Sequence, residues 1–564
     1  MSRLLAIFLL IFLIIYLIPL GARPIVTPDE ARYGAIPAEM IATGEWVAPR
    51  LNGIRYFEKP VLGYWAIAAS QKIFGANAWA IRLPSALAIG FSALCLVLIS
   101  RRCGLPRGAG WYSALACLTM LGMVITGTTS LLDGMFTGAL VGALTFFYMA
   151  WTATTRSSRI GWLVLFGGFC GLSFLIKGFL GLAVPTMVIA PFLIWMGKWR
   201  DFFTMPWIPM LVAGIVVMPW ALAVHLADSD YWHYFFWVEH IHRFTGGEEA
   251  QHPEPFWFFA PILLVILLPW TFALPLAIEG LLRKHRLHEP WIRYALCWLF
   301  IPVVFFSISS GKLPTYIIPC VPAAALLIAV GVLERFRYRP EKPSFKWIYP
   351  SIILFAIGLV CILEWAFGLI GMLPWSENWK TPWGEDGTWR FLAMGLACIA
   401  WGVMDLLTIR VQRADARVLM MALSPVVMSA LLPSFLPTAW LGGYKTPEIF
   451  ISKHDEVLSN PETLVISDSN LMHSVNWFNH RYDVILFGGP GEMAWGIADH
   501  ADRQVVWPEM MVMVANESRH RPVAILLRDT ELLQRFVDEG DVPEPIELDL
   551  GNEIGLAVFG PSER

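Results

Sequence analysis

The stretch Thr27-Pro28-Asp29-Glu30-Ala31-Arg32-Tyr33 places two adjacent carboxylates shortly after a first apolar segment, residues 4–21. Thr27 and Glu30 have the spacing of a capping box, and the proline after Thr27 suits the first position of a helix. A helix is therefore predicted to begin here. Its start accounts for Glu30 but leaves the carboxylate of Asp29 free for another role.

A second charged cluster, Arg55-Tyr56-Phe57-Glu58-Lys59-Pro60, lies further along the same polar region. Its proline stops regular strand pairing, so the charged side chains before it form a corner. The ammonium group of Lys59 is available there to an anion.

Residues 22–78 are too polar to span a membrane and too regularly patterned to be a loose loop. Residues 32–43 are predicted to form an amphipathic helix on the membrane surface, with Ile36, Met40 and Ile41 toward lipid. Residues 63–74 are predicted to form a second helix of this kind. Together they would build a platform over whatever the membrane spans enclose.

The composition identifies a polytopic membrane protein, because 57% of the residues are hydrophobic and only 15% are charged. A spanning helix needs roughly 20 apolar residues. Thirteen such segments are predicted, at residues 4–21, 79–99, 109–128, 134–155, 160–176, 179–197, 205–224, 256–279, 291–309, 316–333, 347–371, 391–408 and 418–436. The first is expected to be retained as a span and not cleaved as a signal peptide.

The distribution of basic residues predicts the orientation of these spans. With a cytoplasmic amino terminus, the loops on that side are all basic, as the positive-inside rule requires. They contain Arg101, Arg102, Arg107, Arg156, Arg159, Lys198, Arg200, Arg283, Lys284, Arg286, Arg335, Arg337, Arg339, Lys342, Lys346, Arg410, Arg413 and Arg417. Thirteen spans then place the carboxyl-terminal region and both charged clusters on the outer side of the membrane.

The composition also excludes some classes. A formal net charge of −3 gives no support for nucleic-acid binding. The eight cysteines lie within or beside the spans, so no disulfide framework or zinc-ribbon spacing is predicted.

Residues 437–564 have the composition of a soluble α/β domain. Four apolar runs, at residues 463–466, 483–487, 523–527 and 556–559, are predicted as buried strands, with helices near 470–479 and 529–538. The turn at residues 488–491 follows a strand but lacks the dinucleotide-binding fingerprint. The predicted organisation is a transmembrane domain, residues 1–436, followed by an outer α/β domain, residues 437–564.

Two ionisable residues stand near the outer ends of predicted spans. Asp133 is either a solvated helix cap or a carboxylate at the same outer level as Asp29. Lys177 interrupts a long apolar region, where an ionisable residue is costly unless it is paired, functional or reaching to the interface.

The outer loop at residues 225–255 is rich in titratable groups, most of which a solvated polar loop would explain. Its histidines lack the spacing of a zinc-protease helix. One imidazole, His240, could complete a divalent metal site such as zinc with the distant carboxylate Glu58. Arg243 in the same loop is a candidate for binding an anion.

The outer loop Ser309-Ser310-Gly311-Lys312-Leu313-Pro314-Thr315-Tyr316 resembles an anion-binding turn. It lacks the Walker pattern, so no nucleoside triphosphate site is predicted. Lys312 and Tyr316 could bind a phosphate at the bilayer surface.

These residues allow two classes of function. A transporter would need charges at mid-membrane depth and matched halves with broken helices, and neither pattern is clear in the sequence. An enzyme that acts on a lipid phosphate at the outer surface fits the clustering of charges in the outer loops better.

Five motifs make the chain similar to the aminoarabinose lipid A transferases, which group with the protein O-mannosyltransferases in the C-type glycosyltransferase (GT-C) superfamily. They are Pro28-Asp29-Glu30-Ala31-Arg32-Tyr33, Leu51-Asn52-Gly53 with Tyr56-Phe57-Glu58-Lys59-Pro60-Val61, Leu132-Asp133, Lys177-Gly178 and Ser310-Gly311-Lys312-Leu313-Pro314-Thr315-Tyr316. The resemblance implies a GT-C fold of about 13 transmembrane helices, with interfacial periplasmic helices in the first outer loop and a periplasmic α/β domain.

The resemblance also implies a reaction. The family transfers 4-amino-4-deoxy-L-arabinose from undecaprenyl phosphate to a lipid A phosphate at the inner membrane, which reduces anionic charge and polymyxin binding. Another carrier-linked sugar, or a protein hydroxyl as acceptor, is the alternative within the enzyme class. No organic cofactor and no nucleic acid are expected, and the chain is expected to act as a monomer in the bilayer.

The resemblance assigns roles to individual residues. Asp29 corresponds to the principal catalytic carboxylate and Asp133 to a second acidic residue, with Glu30 beside them. The predicted ligands of the carrier phosphate are Lys59, Arg55, Tyr56, Arg243, Lys312 and Tyr316. Further substrate contacts are predicted at Lys177, Arg32 and Tyr33.

Overall fold

A computed structural model of the chain forms two compact units. The first contains Met1–Ala22, Arg82–Trp379 and Asp386–Leu436, and the second contains Arg23–Ile81, Lys380–Glu385 and Pro437–Arg564. The structure describes residues 2–106, 108–242, 253–282, 288–338, 349–368, 383, 387–436, 441–551 and 553–561. The sequence division after residue 436 stays a prediction, and in the structure the first polar loop groups with the carboxyl-terminal region.

Long apolar helices make up the first unit. Within the described ranges, ten are long and apolar enough to cross a membrane: Arg3–Gly21, Ala78–Arg102, Leu132–Trp151, Arg156–Lys177, Trp207–Ala227, Pro290–Ile308, Pro314–Tyr338, Tyr349–Phe367, Trp389–Arg410 and Ala414–Phe435. Two bent pairs bring the number to 12 if each is one span, and a shorter apolar helix covers Leu180–Trp195. Each of the thirteen predicted segments coincides with one of these elements.

The two bent pairs have identifiable breaks. Ala109–Thr119 and Leu121–Gly127 meet at 66°, where Met120 has an extended backbone. Phe256–Ile266 and Trp270–Leu282 meet at 91° across a segment that contains Pro269. A proline removes a backbone donor and clashes with the preceding turn, so a sharp bend at this position is expected.

Several spans are not uniform helices. Arg3–Gly21 consists of Ser2–Phe12, a π-helical turn Leu13–Leu17 and a 3-10 turn Ile18–Gly21, and Pro314–Tyr338 consists of Pro314–Cys320 and Val321–Tyr338. The remaining elements of the first unit are short: Asp201–Thr204, Tyr231–His233, Tyr234–His242, Phe256–Phe258, Phe259–Ile266, Trp270–Ala273, Leu274–Leu282, Ala414–Leu423, Val426–Leu431 and Leu432–Phe435.

The spans differ in how much of their surface the protein covers. Leu132–Trp151 and Pro314–Tyr338 are almost entirely buried, whereas only 17% of the apolar stretch in Trp207–Ala227 and 11% of that in Tyr349–Phe367 is buried inside the protein. Exposed apolar surface of this extent on a helix suits a lipid environment. The two buried helices therefore form the centre of the helical unit.

The second unit contains an antiparallel hairpin and a six-stranded mixed sheet. The hairpin strands are β1 (Arg50–Leu51) and β2 (Ile54–Arg55). The sheet strands are β3 (Leu464–Asp468), β4 (Ile485–Phe487), β5 (Gln504–Val505), β6 (Val523–Leu527), β7 (Glu547–Leu550) and β8 (Gly555–Phe559). Their order is β5-β4-β3-β6-β8-β7. Strands β5, β4, β3 and β6 are parallel to one another, β8 is antiparallel to β6, and β7 is antiparallel to β8.

The helices of this unit connect and flank the strands. They are Asp29–Thr43, Leu62–Phe74, Gly443–Lys445, Glu448–Lys453, Asp455–Leu458, Ser469–Phe478, Gly491–Met493, Ala494–Ile497, Ala501–Arg503, Trp507–Glu517 and Thr530–Glu539. The carboxylates of Asp468 and Asp529 cap the helices that follow β3 and β6 by accepting backbone N–H groups. The predicted α/β class, its four buried strands and both predicted helices are confirmed.

The first-loop helix, Asp29–Thr43, departs from the prediction at its start. Thr27 and Glu30 do not form a capping box: the helix begins without a side-chain cap, and the Thr27 hydroxyl lies 2.8 Å from that of Ser474. The carboxylate of Glu30 instead accepts the guanidinium of Arg23 at 2.5 and 3.0 Å and the amide of Val26 at 3.1 Å. The Thr27 amide, which a capping box would direct to Glu30, donates instead to the carbonyl of Lys445 at 2.9 Å.

The faces of the first-loop helix also differ from the prediction. Ile36 and Met40, expected to face lipid, are buried inside the second unit, and only Ile41 is partly exposed. The helix packs against Leu62–Phe74 and Ser469–Phe478. A Cβ on Gly34 would come within 2.6 Å of the Trp477 ring, so glycine permits this close approach.

The side chain of Asn52, at the hairpin tip, pairs with the backbone of Val484 beside β4. The Asn52 amide donates to the carbonyl of Val484 at 2.7 Å, and its oxygen accepts the Val484 amide at 3.0 Å. Asn52 has a φ of 58°, a conformation that asparagine tolerates better than most residues. Beside it, the buried carboxyl of Glu39 accepts the Gly53 amide at 3.0 Å, and burial raises the pKa of Glu39 to about 7.

We expect Asn52→Ala to destabilise the protein by about 3 kcal/mol, because a buried backbone pair loses its partner and alanine is strained at this φ. Asn52→Gly removes the same hydrogen bonds without the backbone strain, so its loss should be smaller. Thermal unfolding of the detergent-solubilised protein measures both. Equal stability of the wild type and both variants would show that the pairing with Val484 contributes nothing.

Candidate functional site

The catalytic carboxylate predicted from the sequence opens the first-loop helix. Asp29 is 58% exposed, and its Oδ1 accepts the Arg32 Nη2 at 2.6 Å. The guanidinium of Arg32 is itself almost completely buried, and its Nη1 pairs with the carboxylate of Glu492. Arg32 therefore joins an exposed carboxylate of the first loop to a carboxylate that follows β4.

The second charged cluster joins the same network. The hydroxyl of Tyr56 lies 3.0 Å from Glu58 Oε2 and 3.2 Å from Glu492 Oε2. Lys59 donates from its Nζ to the backbone oxygen of Glu58 at 3.0 Å, and its Nζ lies 3.8 Å from the Glu58 carboxylate. We call the residues Asp29, Arg32, Glu492, Tyr56, Glu58 and Lys59 the loop cluster.

Burial determines the protonation states of Tyr56, in the loop cluster, and of His473, which lies beside Arg32. Burial raises the pKa of the Tyr56 hydroxyl well above its ordinary value, so this group stays a neutral donor. Burial, and then the charge of Arg32, lowers the pKa of His473 to about 3. The imidazole is neutral at physiological pH and adds no second positive charge beside the guanidinium.

Other predicted residues of the second unit lie beside the cluster. Arg55 pairs with Asp499 and lies 5.7 Å from the centroid of the Phe57 ring. Tyr33 stacks on Tyr64 and lies under the Arg32 guanidinium at 5.1 Å. Glu30 pairs with Arg23, as described above, so it has a structural partner. Its catalytic role stays a prediction.

The first unit contains a separate ion pair. Lys177 Nζ lies 2.7 Å from Asp133 Oδ1, and both side chains are largely buried, at 12% and 14% exposed. The ammonium group also lies 5.7 Å from the Phe136 ring and 5.5 Å from the Tyr316 ring. Asp133 and Lys177, which the sequence analysis singled out separately, thus form one ion pair. The predicted residue Tyr316 is one of its two aromatic neighbours.

The positions of Asp133 and Lys177 on their helices favour their charges. Asp133 lies in the first turn of Leu132–Trp151, and Lys177 is the last residue of Arg156–Lys177. A helix stabilises negative charge at its amino end and positive charge at its carboxyl end. The electrostatics of the two helices therefore reinforce the ion pair.

Lys312 is buried, and its ammonium group contacts backbone carbonyl oxygens. It donates to the carbonyl of Glu254 at 2.5 Å and lies 3.4 Å from that of Ser310. Its predicted contact with a phosphate stays a prediction.

Three predictions cannot be placed. Arg243 and the side chain of His240 lie outside the described residues. Among the described residues, no group of three or more His, Cys, Asp or Glu side chains could hold a metal ion. The metal site predicted at Glu58 and His240 therefore stays untested, and Glu58 contacts Tyr56 and Lys59 instead.

Glu492 and His473 are members or neighbours of the loop cluster that the sequence analysis did not identify. Glu492 follows the turn at residues 488–491, which comes directly after β4. Loops at the carboxyl ends of parallel strands commonly form ligand sites. The position of Glu492 after a predicted strand could therefore have identified it as a candidate site residue. Nothing in the sequence distinguishes His473 in this way.

The chemistry that these groups can perform is narrow. The loop cluster offers an exposed carboxylate, a buried guanidinium that orients it and an ammonium group on the adjoining corner. A carboxylate can orient a nucleophile or stabilise developing positive charge, and a lysine can hold a phosphate. This combination suits the displacement of a phosphate from a sugar.

The amino-terminal and carboxyl-terminal parts of the chain each match a known protein family model. Residues 1–235 match the family model described as dolichyl-phosphate-mannose-protein mannosyltransferase. Residues 443–556 match the model of the arabinosyl transferase ArnT, C-terminal domain.

A solved structure supports the fold. ArnT from Cupriavidus metallidurans bound to undecaprenyl phosphate superposes with a TM-score of 0.80, over 100% of this chain and 98% of that one, at 21% identity. This likeness shows that the chain has the GT-C fold, with its transmembrane helices and a carboxyl-terminal α/β domain.

Full-length relatives are more similar in sequence. The undecaprenyl phosphate-α-4-amino-4-deoxy-L-arabinose arabinosyl transferase of Shewanella sediminis is 36% identical, over 95% of this chain and 94% of its own length. That of Aeromonas hydrophila subsp. hydrophila is 36% identical over 98% of both chains. The chain therefore belongs to the family of undecaprenyl phosphate-α-4-amino-4-deoxy-L-arabinose arabinosyl transferases.

Proposed function

We propose that this protein transfers 4-amino-4-deoxy-L-arabinose from undecaprenyl phosphate to a phosphate of lipid A. The observation that carries this proposal is the 36% identity to transferases of that name along nearly the whole chain. The enzyme is a polyprenyl-phosphate-dependent glycosyltransferase embedded in the membrane. It acts as a monomer.

We place the reaction at the periplasmic face of the bacterial inner membrane. The basic loops support this orientation, since the positive-inside rule then puts the amino terminus in the cytoplasm. The first loop and the carboxyl-terminal domain, which pack together in the second unit, lie in the periplasm.

The proposed chemistry is a single displacement with inversion at the anomeric carbon. The acceptor phosphate is already largely anionic near neutral pH, so it needs little help from a general base. Asp29 instead orients the substrates or stabilises the positive charge that develops on the sugar ring. Its exposed carboxylate, held on one side by Arg32, suits this role.

Cations hold the departing carrier phosphate in this proposal. Lys59 is the principal proposed ligand: its ammonium group lies at the corner beside Glu58, 3.0 Å from the Glu58 backbone oxygen and within the loop cluster that contains Asp29. Arg55 and Tyr56 precede it by four and three residues in the same charged cluster, and Arg243, Lys312 and Tyr316 are the further candidates. A low local dielectric strengthens each such contact with a phosphate.

The test uses a polymyxin-sensitive strain that lacks its own transferase but makes the carrier-linked sugar. Expression of the intact chain should add the mass of aminoarabinose to lipid A, measured by mass spectrometry, and should raise polymyxin resistance. An empty vector, and a strain that cannot make the carrier-linked sugar, should show no new species.

The opposite result is equally clear. If lipid A is unchanged while the sugar donor and the folded protein are both present in the membrane, the proposed acceptor is wrong. A new glycan on periplasmic proteins would then favour transfer to a protein hydroxyl; the family model that matches residues 1–235 is described as a protein mannosyltransferase.

A further inference from the structure

Glu492 contacts two members of the loop cluster from the carboxyl-terminal domain. Its Oε2 pairs with the Arg32 guanidinium and lies 3.2 Å from the Tyr56 hydroxyl. The residue lies in the short 3-10 helix Gly491–Met493, which follows β4. A side chain of the α/β domain thus enters the cluster that contains the predicted catalytic carboxylate.

The pairing of Arg32 explains why this contact matters. A buried guanidinium is costly unless its charge is compensated. Its Nη2 donates to Asp29, but Asp29 is exposed and shares its charge with solvent. Glu492, at 29% exposed, occupies the Nη1 side, so the two amino groups of Arg32 are divided between two carboxylates.

Tyr56 fixes the other side of Glu492. Its neutral hydroxyl has one proton to share between Glu58 and Glu492, and its ring is fully buried. The oxygen of Glu492 is therefore located by a rigid aromatic side chain as well as by Arg32. A carboxylate held from two sides gives the guanidinium a fixed position.

We propose that Glu492 is a positioning residue for sugar transfer, which fixes Arg32 and through it the carboxylate of Asp29. The inference rests on the proposed function, and it makes the carboxyl-terminal domain part of the catalytic apparatus. Glu492 itself touches no substrate. Its loss should lower the rate of transfer without weakening the binding of the sugar donor.

The first test replaces Glu492 with its neutral isostere. In Glu492→Gln, kcat should fall about tenfold, since a charged hydrogen bond is lost, while KM for the carrier-linked sugar stays within about twofold. Purified protein in detergent is assayed with the carrier-linked sugar and lipid A. An unchanged kcat, or a rise in KM alone, would overturn the proposal.

A matched control separates this effect from general loss of charge. Glu517, the last residue of the helix Trp507–Glu517 in the same domain, pairs with Arg521 at 2.8 Å, and both side chains are exposed. Glu517→Gln should leave kcat and KM unchanged. Thermal unfolding of all variants corrects the rates for folded protein, and a Glu492→Gln loss that vanishes after this correction would mean a purely structural role.

A double variant tests whether Glu492 acts through Arg32. Lysine cannot divide two amino groups between two carboxylates, so in an Arg32→Lys background the further effect of Glu492→Gln should shrink to less than about twofold. If Glu492→Gln lowers kcat by the same factor in the Arg32→Lys background as in the wild type, the two residues act independently and the proposed coupling is wrong.

If Arg32→Lys abolishes transfer, the double variant cannot be measured, and the kcat of Glu492→Asp is compared with that of Glu492→Gln instead. A kcat above that of Glu492→Gln would support a role for the charge, and a kcat at or below it would contradict one. Absence of transfer by the wild type in the same assay would refute the proposed function and not this inference.

Discussion

Asp29→Asn should lower the rate of aminoarabinose transfer by at least about 100-fold, with little change in stability. The substitution preserves the size of the side chain and an oxygen that can accept from Arg32 at 2.6 Å, but it removes the charge. The asparagine oxygen can still accept from the buried Arg32, and Glu492 still compensates the charge of that guanidinium, so the neutralisation deprives no buried polar group of its partner. The loss should therefore appear in catalysis and not in folding.

The measurement is the initial rate of transfer to lipid A at equal amounts of folded protein, with KM for the donor determined in parallel. Asp415 provides a matched control, since it accepts from Arg337 at 2.9 Å and is 49% exposed. Asp415→Asn should transfer at the wild-type rate. Near wild-type activity in Asp29→Asn would remove this carboxylate from the mechanism and direct attention to Asp133.

The membrane architecture could be predicted because its signal is local. Each span consists of a long apolar run, and the thirteen predicted segments coincide with helices or bent pairs in the structure. Segment 179–197 is the weakest, since its helix, Leu180–Trp195, has 16 residues. The charge pattern of the loops is equally local, which is why it could suggest an orientation.

The parts that depend on tertiary partners were predicted less well. Ile36 and Met40 have the pattern of a surface helix, but the carboxyl-terminal domain buries them. No local pattern announces a partner that lies some 400 residues away in sequence. The strands β5 and β7 were missed because one has two residues and the other is largely exposed and carries charges.

The candidate site likewise contains residues that the sequence identifies and partners that only the fold reveals. Asp29 and Lys59 stand out in the sequence because they are charged residues in distinctive motifs. Their partners do not: the contacts of Arg32 with Glu492 and of Tyr56 with Glu492 connect positions more than 400 residues apart. The sequence identifies groups that carry chemistry, and the fold determines which of them share a proton or a charge.

Lys177→Met should destabilise the protein by about 3 kcal/mol and reduce transfer well beyond the loss of folded protein. Methionine keeps the apolar stem but leaves the largely buried carboxylate of Asp133 without its cation. The contacts of the ammonium group with the Phe136 and Tyr316 rings are lost as well. Asp133 would then lose the partner that sets its orientation.

The pair can be tested by a double-mutant cycle with thermal unfolding and transfer rates as readouts. Asp133→Asn with Lys177→Met should cost less stability than the sum of the single variants, because no unpaired charge remains. The Arg335–Glu279 pair, also 2.7 Å long and between helices of the first unit, is the control. Arg335→Met should lower stability but leave the transfer rate of the folded protein unchanged. If Lys177→Met behaves in the same way, Asp133 and Lys177 serve only to hold their helices together, and the second acidic residue predicted for catalysis must lie elsewhere.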